Sequence, residues 1–390
     1  MIVLDFVLLG LTLVLLLPVV FFLLQIVAAI IFKKSSLSAQ KLHNRPAIAI
    51  VIPAHNESLM IAQTIQSLLP QLQMQDNLLV VADNCTDDTA AIASSLGANV
   101  FSRTHEFNRG KGYALDYGLQ QLRRHPPDVV LVIDADCIVA EGTIDLLVKY
   151  CIETQRPVQA LYLMQSLSKP SLKACVSQFA WLVKNKVRPS GLKCLGLPCQ
   201  LMGTGMAFLW QDISQVNLAS GHIVEDMKLG IDLARINKAP VFLPDAIVTS
   251  MFPPSIDATN AQRTRWEHGH LSVLLKEAPS ILLEAIKGKN LQMLAMVIDI
   301  MIPPLAVLAL LCAGLFALSF AFNSQLAFFI ASLLLASLGL AVFLAWLFFG
   351  REMISFRQLC YAPIYAFTKI PLYIKFFINR QVDWVRSKRD

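Results

Sequence analysis

Charge is what this sequence has least of. Of its 390 residues, 15% are Asp, Glu, Lys or Arg and 55% are hydrophobic, whereas an average soluble domain carries about 25% charged residues. From Phe6 to Phe32 there is no ionisable side chain. That gap excludes an ordinary solvated surface for the N-terminal segment and suits a bilayer, because roughly 20 apolar residues cover about 30 Å of hydrocarbon. A cleaved signal peptide fits poorly, since the apolar stretch is too long and no basic residue precedes it. The eight cysteines form no CxxC pair. Cys194 and Cys199 are the nearest two and lack a matching second pair, which argues against a zinc site, and a reducing compartment would leave all of them as thiols. No GxGxxG follows the first hydrophobic strand, which sets a dinucleotide-binding oxidoreductase aside. Internal repeats and low-complexity linkers are missing too.

Two further apolar stretches, Met293–Phe322 and Leu326–Phe349, are joined by Asn323-Ser324-Gln325. Lys33 and Lys34 follow the first apolar run, and Arg351 and Arg357 follow the last. Positive residues stay on the cytoplasmic side. The expectation is one N-terminal and two C-terminal transmembrane helices, with Lys33–Asn290 and the tail after Gly350 on the cytoplasmic face, as in a bacterial inner membrane. The chain then divides into a spanning helix (1–32), a cytoplasmic domain (33–290), two spanning helices (291–350), and an interfacial segment with a basic tail (351–390). The net charge of +6 comes partly from Lys184, Lys186, Arg188, Lys193 and that tail. Beside apolar spans, such residues meet anionic lipid headgroups rather than nucleic acid. Lys169–Leu197 reads either as an interfacial amphipathic helix or as a core-facing one. Leu359–Ile378 contains Pro363, Lys369, Pro371 and Lys375 and is expected to lie in the interface, because a central lysine costs about 3 kcal/mol on insertion scales.

The polar middle of the chain alternates strands with helices. Ala47–Pro53, Leu78–Ala82, Val100–Phe101 and Val129–Ile133 read as strands. Glu57–Leu69, Thr86–Leu96 and Gly112–Leu122 read as the helices between them. That alternation predicts an α/β fold with a mostly parallel sheet and ligand chemistry at the carboxyl ends of the strands. His55-Asn56-Glu57, Asp83-Asn84 and Asp134-Ala135-Asp136 all fall at such ends.

Asp134 and Asp136 form a DxD pair after a hydrophobic strand. Two carboxylates so placed can hold a hard cation, Mg²⁺ or Mn²⁺, that bridges to phosphate oxygens. Alone, the pair is as readily two solvated acids in a loop. Pro53, Asn56, Glu57 and Asp83 can hydrogen-bond a base and ribose. Arg109-Gly110-Lys111-Gly112 offers close backbone approach and basic side chains, with Lys111 facing a pyrophosphate. Glu225-Asp226 and Gln262-Arg263-Thr264-Arg265-Trp266 lie further on. His268 and His270 form an HxH without a third ligand, so solvent or interface roles are expected for them.

This ordered set resembles the membrane-bound family-2 glycosyltransferases of the GT-A fold, which include cellulose-, chitin- and hyaluronan-synthase-like enzymes and ceramide glucosyltransferases. The resemblance covers Ala47–Gly269 and the flanking membrane segments. It implies an inverting transfer of sugar from a nucleotide-sugar donor, by family default a UDP-sugar, to a membrane lipid, lipid-linked or glycan acceptor. It implies that Asp83 and Asp134 contact the nucleotide and that Asp136, with Asp134, ligates the metal. Asp226, beside Glu225, is implied as the general base. Gln262, Arg263, Arg265 and Trp266 are implied to line the acceptor and diphosphate region. Val224 stands where many relatives have threonine. Gly203-Thr204-Gly205-Met206 matches an acceptor-binding segment loosely. Two products stay open, an extracellular polysaccharide or lipid-linked glycan, and a glycolipid bearing one added sugar. A catalytically dead membrane scaffold is the reading from another class, and the intact acids argue against it.

Overall fold

The computed structural model describes residues 2–31, 45–165, 171–253 and 255–378, and of 256 and 257 the backbone alone. Lys33, Lys34, Lys169 and the basic tail beyond Ile378 lie outside the described residues. The chain opens with α1 (Ile2–Ile31), β1 (Ile48–Ala54), α2 (Ile61–Leu68), β2 (Asn77–Asp83), α3 (Thr89–Ser95) and β3 (Asn99–Arg103). It continues through α4 (Lys111–Leu122), β4 (Val129–Val132), β5 (Cys137–Val139), α5 (Thr143–Thr154), β6 (Val158–Gln165), α6 (Leu172–Leu182) and α7 (Arg188–Cys194). Then come β7 (Met206–Leu209), α8 (Trp210–Ile213), α9 (Glu225–Arg235), β8 (Val241–Met251), α10 (Ile256–Lys276), α11 (Ala278–Lys287) and α12 (Leu291–Ile300). It closes with α13 (Leu305–Ala321), α14 (Gln325–Ala345), α15 (Phe356–Leu359), α16 (Ala362–Thr368) and α17 (Ile370–Ile378).

These elements form two compact units interleaved in sequence, where the sequence alone suggested consecutive blocks. The sheet unit draws on 35–167 and 198–265, and the helical unit on 1–34, 168–197 and 266–381. The boundary falls inside α10, between Arg265 and Trp266.

In the sheet unit eight strands run in the order β3-β2-β1-β4-β7-β6-β8-β5. The four strands read from sequence are all present, and β1 pairs in parallel with both β2 and β4. β6 and β8 are also parallel, while β7 runs antiparallel to both its neighbours and β5 antiparallel to β8. The fold is therefore α/β with a mixed, mostly parallel sheet. β1, β2 and β4 are buried almost throughout, as strands covered by helices on both faces must be. One face packs Val51, Leu79, Val81 and Val130 against Leu115 and Leu119 of α4 and Leu229 and Leu233 of α9. Gly118 lets α4 settle on that face: a Cβ there would lie 2.9 Å from Val51 Cγ1. The chain leaves β1 for β2 and β3 on one side and returns to β4 on the other, so the switch point lies between the carboxyl ends of β1 and β4. Open α/β sheets bind ligands at such a point.

The helical unit holds two helical runs long and apolar enough to cross a membrane, Ile2–Ile31 and Gln325–Gly350. The expected straight span over Met293–Phe322 is corrected: α12 and α13 meet at 72°. Pro303 and Pro304 explain the bend, since each lacks an N–H and cannot continue the helical ladder. Among the described residues, a third crossing exists only if that bent pair makes one. Small side chains allow close packing among these helices. Ala327 and Ala331 of α14 are fully buried with Leu8 of α1 and Leu315 of α13, the small-residue pattern of helix contacts in lipid. Gly191 of α7 sits against α1 so closely that a Cβ would be 1.9 Å from the Gln25 carbonyl oxygen.

The histidines of the HxH are also corrected. His268 has no exposed surface, and its Nε2 lies 3.0 Å from the Leu372 carbonyl oxygen. His270 Nε2 lies 2.9 Å from the Ile300 carbonyl oxygen. Both cap backbone within the helical unit instead of facing solvent.

Candidate active site

The sequence places a polar turn after each central strand, and the fold brings those turns to one edge. After β1, Asn56 takes a left-handed conformation with φ of 54°. Its Oδ1 accepts the Thr86 N–H at 2.7 Å. The Glu57 N–H donates to Thr89 Oγ1 at 2.8 Å, and the Ser58 N–H to Asp87 at 3.1 Å. The turns after β1 and β2 are thus laced together. Pro53, Asn56 and Glu57 consequently help shape the rim, in addition to any ligand contact.

Asp83, at the end of β2, is not a lone acceptor. Arg103 Nη1 pairs with its Oδ1 at 2.6 Å, and Arg103 Nη2 donates to the Asn108 carbonyl at 2.7 Å. Arg103 also lies 5.6 Å over the Tyr113 ring. Arg109 is exposed. Gly110 has φ of 122°, a conformation glycine alone adopts readily. The close approach expected at Gly112 is made by the chain itself, because a Cβ would meet the Leu218 and Ser220 carbonyl oxygens at 2.6 and 2.7 Å.

The charged centre gathers around Gly203. Its φ is 90°, and a Cβ built on it would meet Lys111 Nζ at 3.4 Å, Asp226 Oδ2 at 3.5 Å and Asp134 Oδ2 at 4.0 Å. Lys111, the first residue of α4, pairs with Asp134, lies 3.9 Å from Glu225 and donates to the Gly203 carbonyl at 2.8 Å. Burial works against its charge, but Asp134 and Glu225 outweigh that and raise its pKa. Glu225 and Asp226 form the first turn of α9, where the helix dipole favours negative charge, and Asp226 Oδ1 accepts the Met227 N–H at 2.8 Å. Burial lifts the Glu225 carboxyl from 4.5 to about 7, with Lys111 pulling down and Asp226 pushing up. Arg265 faces the same group: burial lowers its pKa, and Glu225, Asp134 and Asp226 oppose that shift.

Asp136 is held by Ser250 at the end of β8, whose Oγ donates to its Oδ2 at 3.2 Å. Ligand atoms of Asp134, Asp136 and Cys137 lie within 4.8 Å of one another. Burial, with Asp134 adding to it, pushes the Cys137 thiol well up, and the hard donors of this trio are its two carboxylates. Hard oxygen donors of this kind fit Mg²⁺ or Mn²⁺.

Three further residues prepare this centre: Thr204 lay in the loosely matching Gly203-Thr204-Gly205-Met206 segment, while Gln159 and Arg103 escaped the sequence reading. Thr204 Oγ1 accepts the Asp134 N–H at 3.0 Å. Gln159, with no exposed surface, donates to the Thr204 carbonyl at 2.9 Å and accepts the Met202 N–H at 2.8 Å. Arg103 is the third. A buried glutamine inside a strand of otherwise apolar residues was the one available signal. In the Gln262–Trp266 motif, Gln262 is 7% exposed, and all five residues lie on α10. Trp266 stacks on Trp181 within the helical unit, ring centroids 4.8 Å apart and tilted by 36°.

A family model described as glycosyltransferase like family 2 matches residues 46–269, more than half of the chain. The chain belongs to that family. A solved structure also matches in fold. Mannosyltransferase PcManGT from Pyrobaculum calidifontis, solved in complex with GDP-Man and Mn²⁺, aligns over 97% of this chain and 99% of its own. The TM-score is 0.56 at 15% identity, a likeness that shows the GT-A fold. Among curated proteins, the probable glycosyltransferase YdaM of Bacillus subtilis is 26% identical over 251 residues, 59% of this chain and 57% of that one. The poly-β-1,6-N-acetyl-D-glucosamine synthase of Staphylococcus epidermidis is 23% identical over 265 residues, 63% of this chain and 60% of that one. The chain thus spans less than two thirds of the length of these relatives.

Proposed function

We propose that this family-2 member is an inverting glycosyltransferase. It moves a sugar from a nucleotide-sugar, a UDP-sugar by family default, to a membrane-associated acceptor. The observation that carries the reading is the convergence of Asp134, Lys111 and Asp226 on Gly203, with Glu225 beside Lys111, at the switch-point edge. Three carboxylates against Lys111 and Arg265 leave negative charge to be balanced, and a glycine leaves room for a substrate to approach. Clusters of mutually perturbed groups at such an edge are what catalysis requires.

The roles follow from chemistry. Asp226 takes the proton of the acceptor hydroxyl while that oxygen bonds to the anomeric carbon. The bond from that carbon to the nucleoside diphosphate breaks, and the diphosphate leaves with the electron pair. Lys111 and Arg265 supply positive charge to the departing phosphates, the guanidinium by a bidentate fork. Asp83, Asn56 and Glu57 border the nucleotide side, and Gln262, Arg263 and Trp266 the acceptor side. Asp134 and Asp136 would hold a divalent cation, whose contribution when bound is neutralising charge on the leaving diphosphate.

The apolar runs Ile2–Ile31 and Gln325–Gly350 support a membrane seat for the chain, and Arg351 and Arg357 support a cytoplasmic face for residues 33–290 and 351–390. With few spans among the described residues to build a channel, transfer of one sugar to a lipid or lipid-linked acceptor is favoured over a secreted polymer. A panel of nucleotide sugars with membrane extract as acceptor tests this. The expected product is an acceptor heavier by one sugar, and a polymer ladder would overturn the single-sugar reading.

A further inference from the structure

Beyond Trp266, α10 continues into Glu267 and His268, and both side chains reach the C-terminal segment. Glu267 pairs with Lys369, and Tyr373 Oη donates to Glu267 Oε2 at 2.7 Å. The two charged side chains are only 12% and 13% exposed. His268 meets the Leu372 carbonyl at 3.0 Å and the edge of Phe376 at a centroid distance of 5.4 Å. Lys369 lies 5.2 Å over the Tyr365 ring, and Tyr365 Oη is 2.8 Å from Ser177 Oγ of α6. A charge pair, a phenol, a buried imidazole and an aromatic edge thus fasten α16 and α17 to one turn of α10. All these residues belong to the helical unit.

The other face of α17 has no such partners among the described residues. Ile370, Ile374, Phe377 and Ile378 are exposed, Phe377 by 77% and Ile378 by 80%. Lys375 is exposed beside them. The spacing of four, three and one puts the apolar side chains on a single stripe. Nine residues rise only about 13 Å, less than half of a bilayer, so α17 cannot cross. A short helix with an apolar stripe, a lysine and spanning helices in the same unit fits one occupant, the surface of a membrane carrying anionic headgroups.

We propose that α17 seats on an anionic lipid surface and, through Glu267 and His268, holds the turn of α10 that follows Trp266. Glu267 and His268 are then positioning residues: they touch no substrate but set the segment bearing the acceptor-side tryptophan. The consequence for acceptor binding rests on the sugar-transfer reading, whereas the lipid seat and the clasp do not.

The full chain in nanodiscs of phosphatidylcholine with phosphatidylglycerol allows both parts to be tested. Hydrogen exchange of the amides from Glu267 to Leu275 reads the turn directly. Lys369→Met breaks the clasp, and Ile374→Asp spoils the lipid face without touching it. Each is expected to speed exchange there about tenfold, as local opening does when one charge-assisted contact is lost. The exchanged pair Glu267→Lys with Lys369→Glu restores protection, and discs of phosphatidylcholine alone loosen the wild type. In transfer assays the same single variants raise the acceptor KM about tenfold and leave the donor KM unchanged. Unchanged exchange in Ile374→Asp, or a swap that fails to restore Lys369→Met, overturns the proposal. Exchange that responds as stated while acceptor KM stays fixed overturns the positioning role. A wild type that transfers sugar from no donor would sink the sugar-transfer reading, and the exchange results would still decide the seat.

Discussion

Two buried charge clusters, one in each unit, are built on opposite plans. In the helical unit Arg188 of α7 answers Asp299 of α12 at 2.7 Å and donates to Gln25 Oε1 of α1 at 3.0 Å. Gln25 Nε2 completes the ring by donating to Asp299 at 2.7 Å. One cation meets one anion, and an amide satisfies what remains. In the sheet unit Lys111 faces Asp134 and Glu225, Asp226 lies beside Gly203, and Arg265 is the second cation near these acids. The first arrangement is closed and locks three helices together. The second sets three acids against two cations, is partly open, and holds a carboxyl at about 7. Saturation marks a structural clasp. Imbalance marks a place where a ligand is to complete the charge.

Breaking each cluster should reveal that difference. The largest effect is expected from Arg188→Met, which leaves Asp299 buried without its partner and costs about 3–5 kcal/mol of stability. Chemical denaturation of the detergent-solubilised protein reads it, and adding Asp299→Leu should recover most of the loss. If Arg188→Met is as stable as wild type, the clasp is not structural. In the sheet unit, Asp226→Asn should leave the melting temperature near that of wild type and lower the transfer rate by roughly 10²–10⁴, the usual contribution of a general base. A smaller effect is expected of Gly203→Ala. Its left-handed backbone costs a side chain about 1–2 kcal/mol, and the added methyl crowds Lys111 and Asp226. Donor KM should rise in that variant, and an unchanged KM would remove Gly203 from the substrate path. Removing divalent cations, or Asp136→Asn, should weaken donor binding measured by calorimetry and leave folding intact.

The smallest effect is a slope. Glu225 binds its proton more tightly in the folded chain than in the unfolded one, where its pKa is near 4.5. The folded state therefore loses stability as pH rises from about 4.5 to about 7. Stability curves of Glu225→Gln should be flatter over that window. Parallel curves for the two proteins would show that Glu225 titrates normally.

The contrast between the units also explains what was readable from the chain. β1 to β4 were legible because fully buried parallel strands are short β-branched runs, and each ends in a polar turn. Asp134, Asp136, Glu225 and Asp226 were legible by residue type and order. β5 to β8 were not: β5 has three residues, β7 has four, and β8 carries Pro244 where its register with β6 shifts between Ala160 and Leu161. Pro303-Pro304 was a visible break signal that the hydropathy of Met293–Phe322 masked. Of the Gly203 cradle only the loose match of Gly203-Thr204-Gly205-Met206 was visible, since its charges come from α4, the end of β4 and α9. Clasps such as Arg188–Asp299 join residues 111 positions apart and appear only once the helices are packed.

The central claim is that the unbalanced cluster around Gly203 transfers sugar with Asp226 as base. Product mass from wild type and Asp226→Asn, each incubated with a panel of nucleotide sugars, a divalent cation and membrane extract, tests it most directly. The account predicts an acceptor heavier by one sugar with wild type and no such product with the variant. Equal product from both would contradict it.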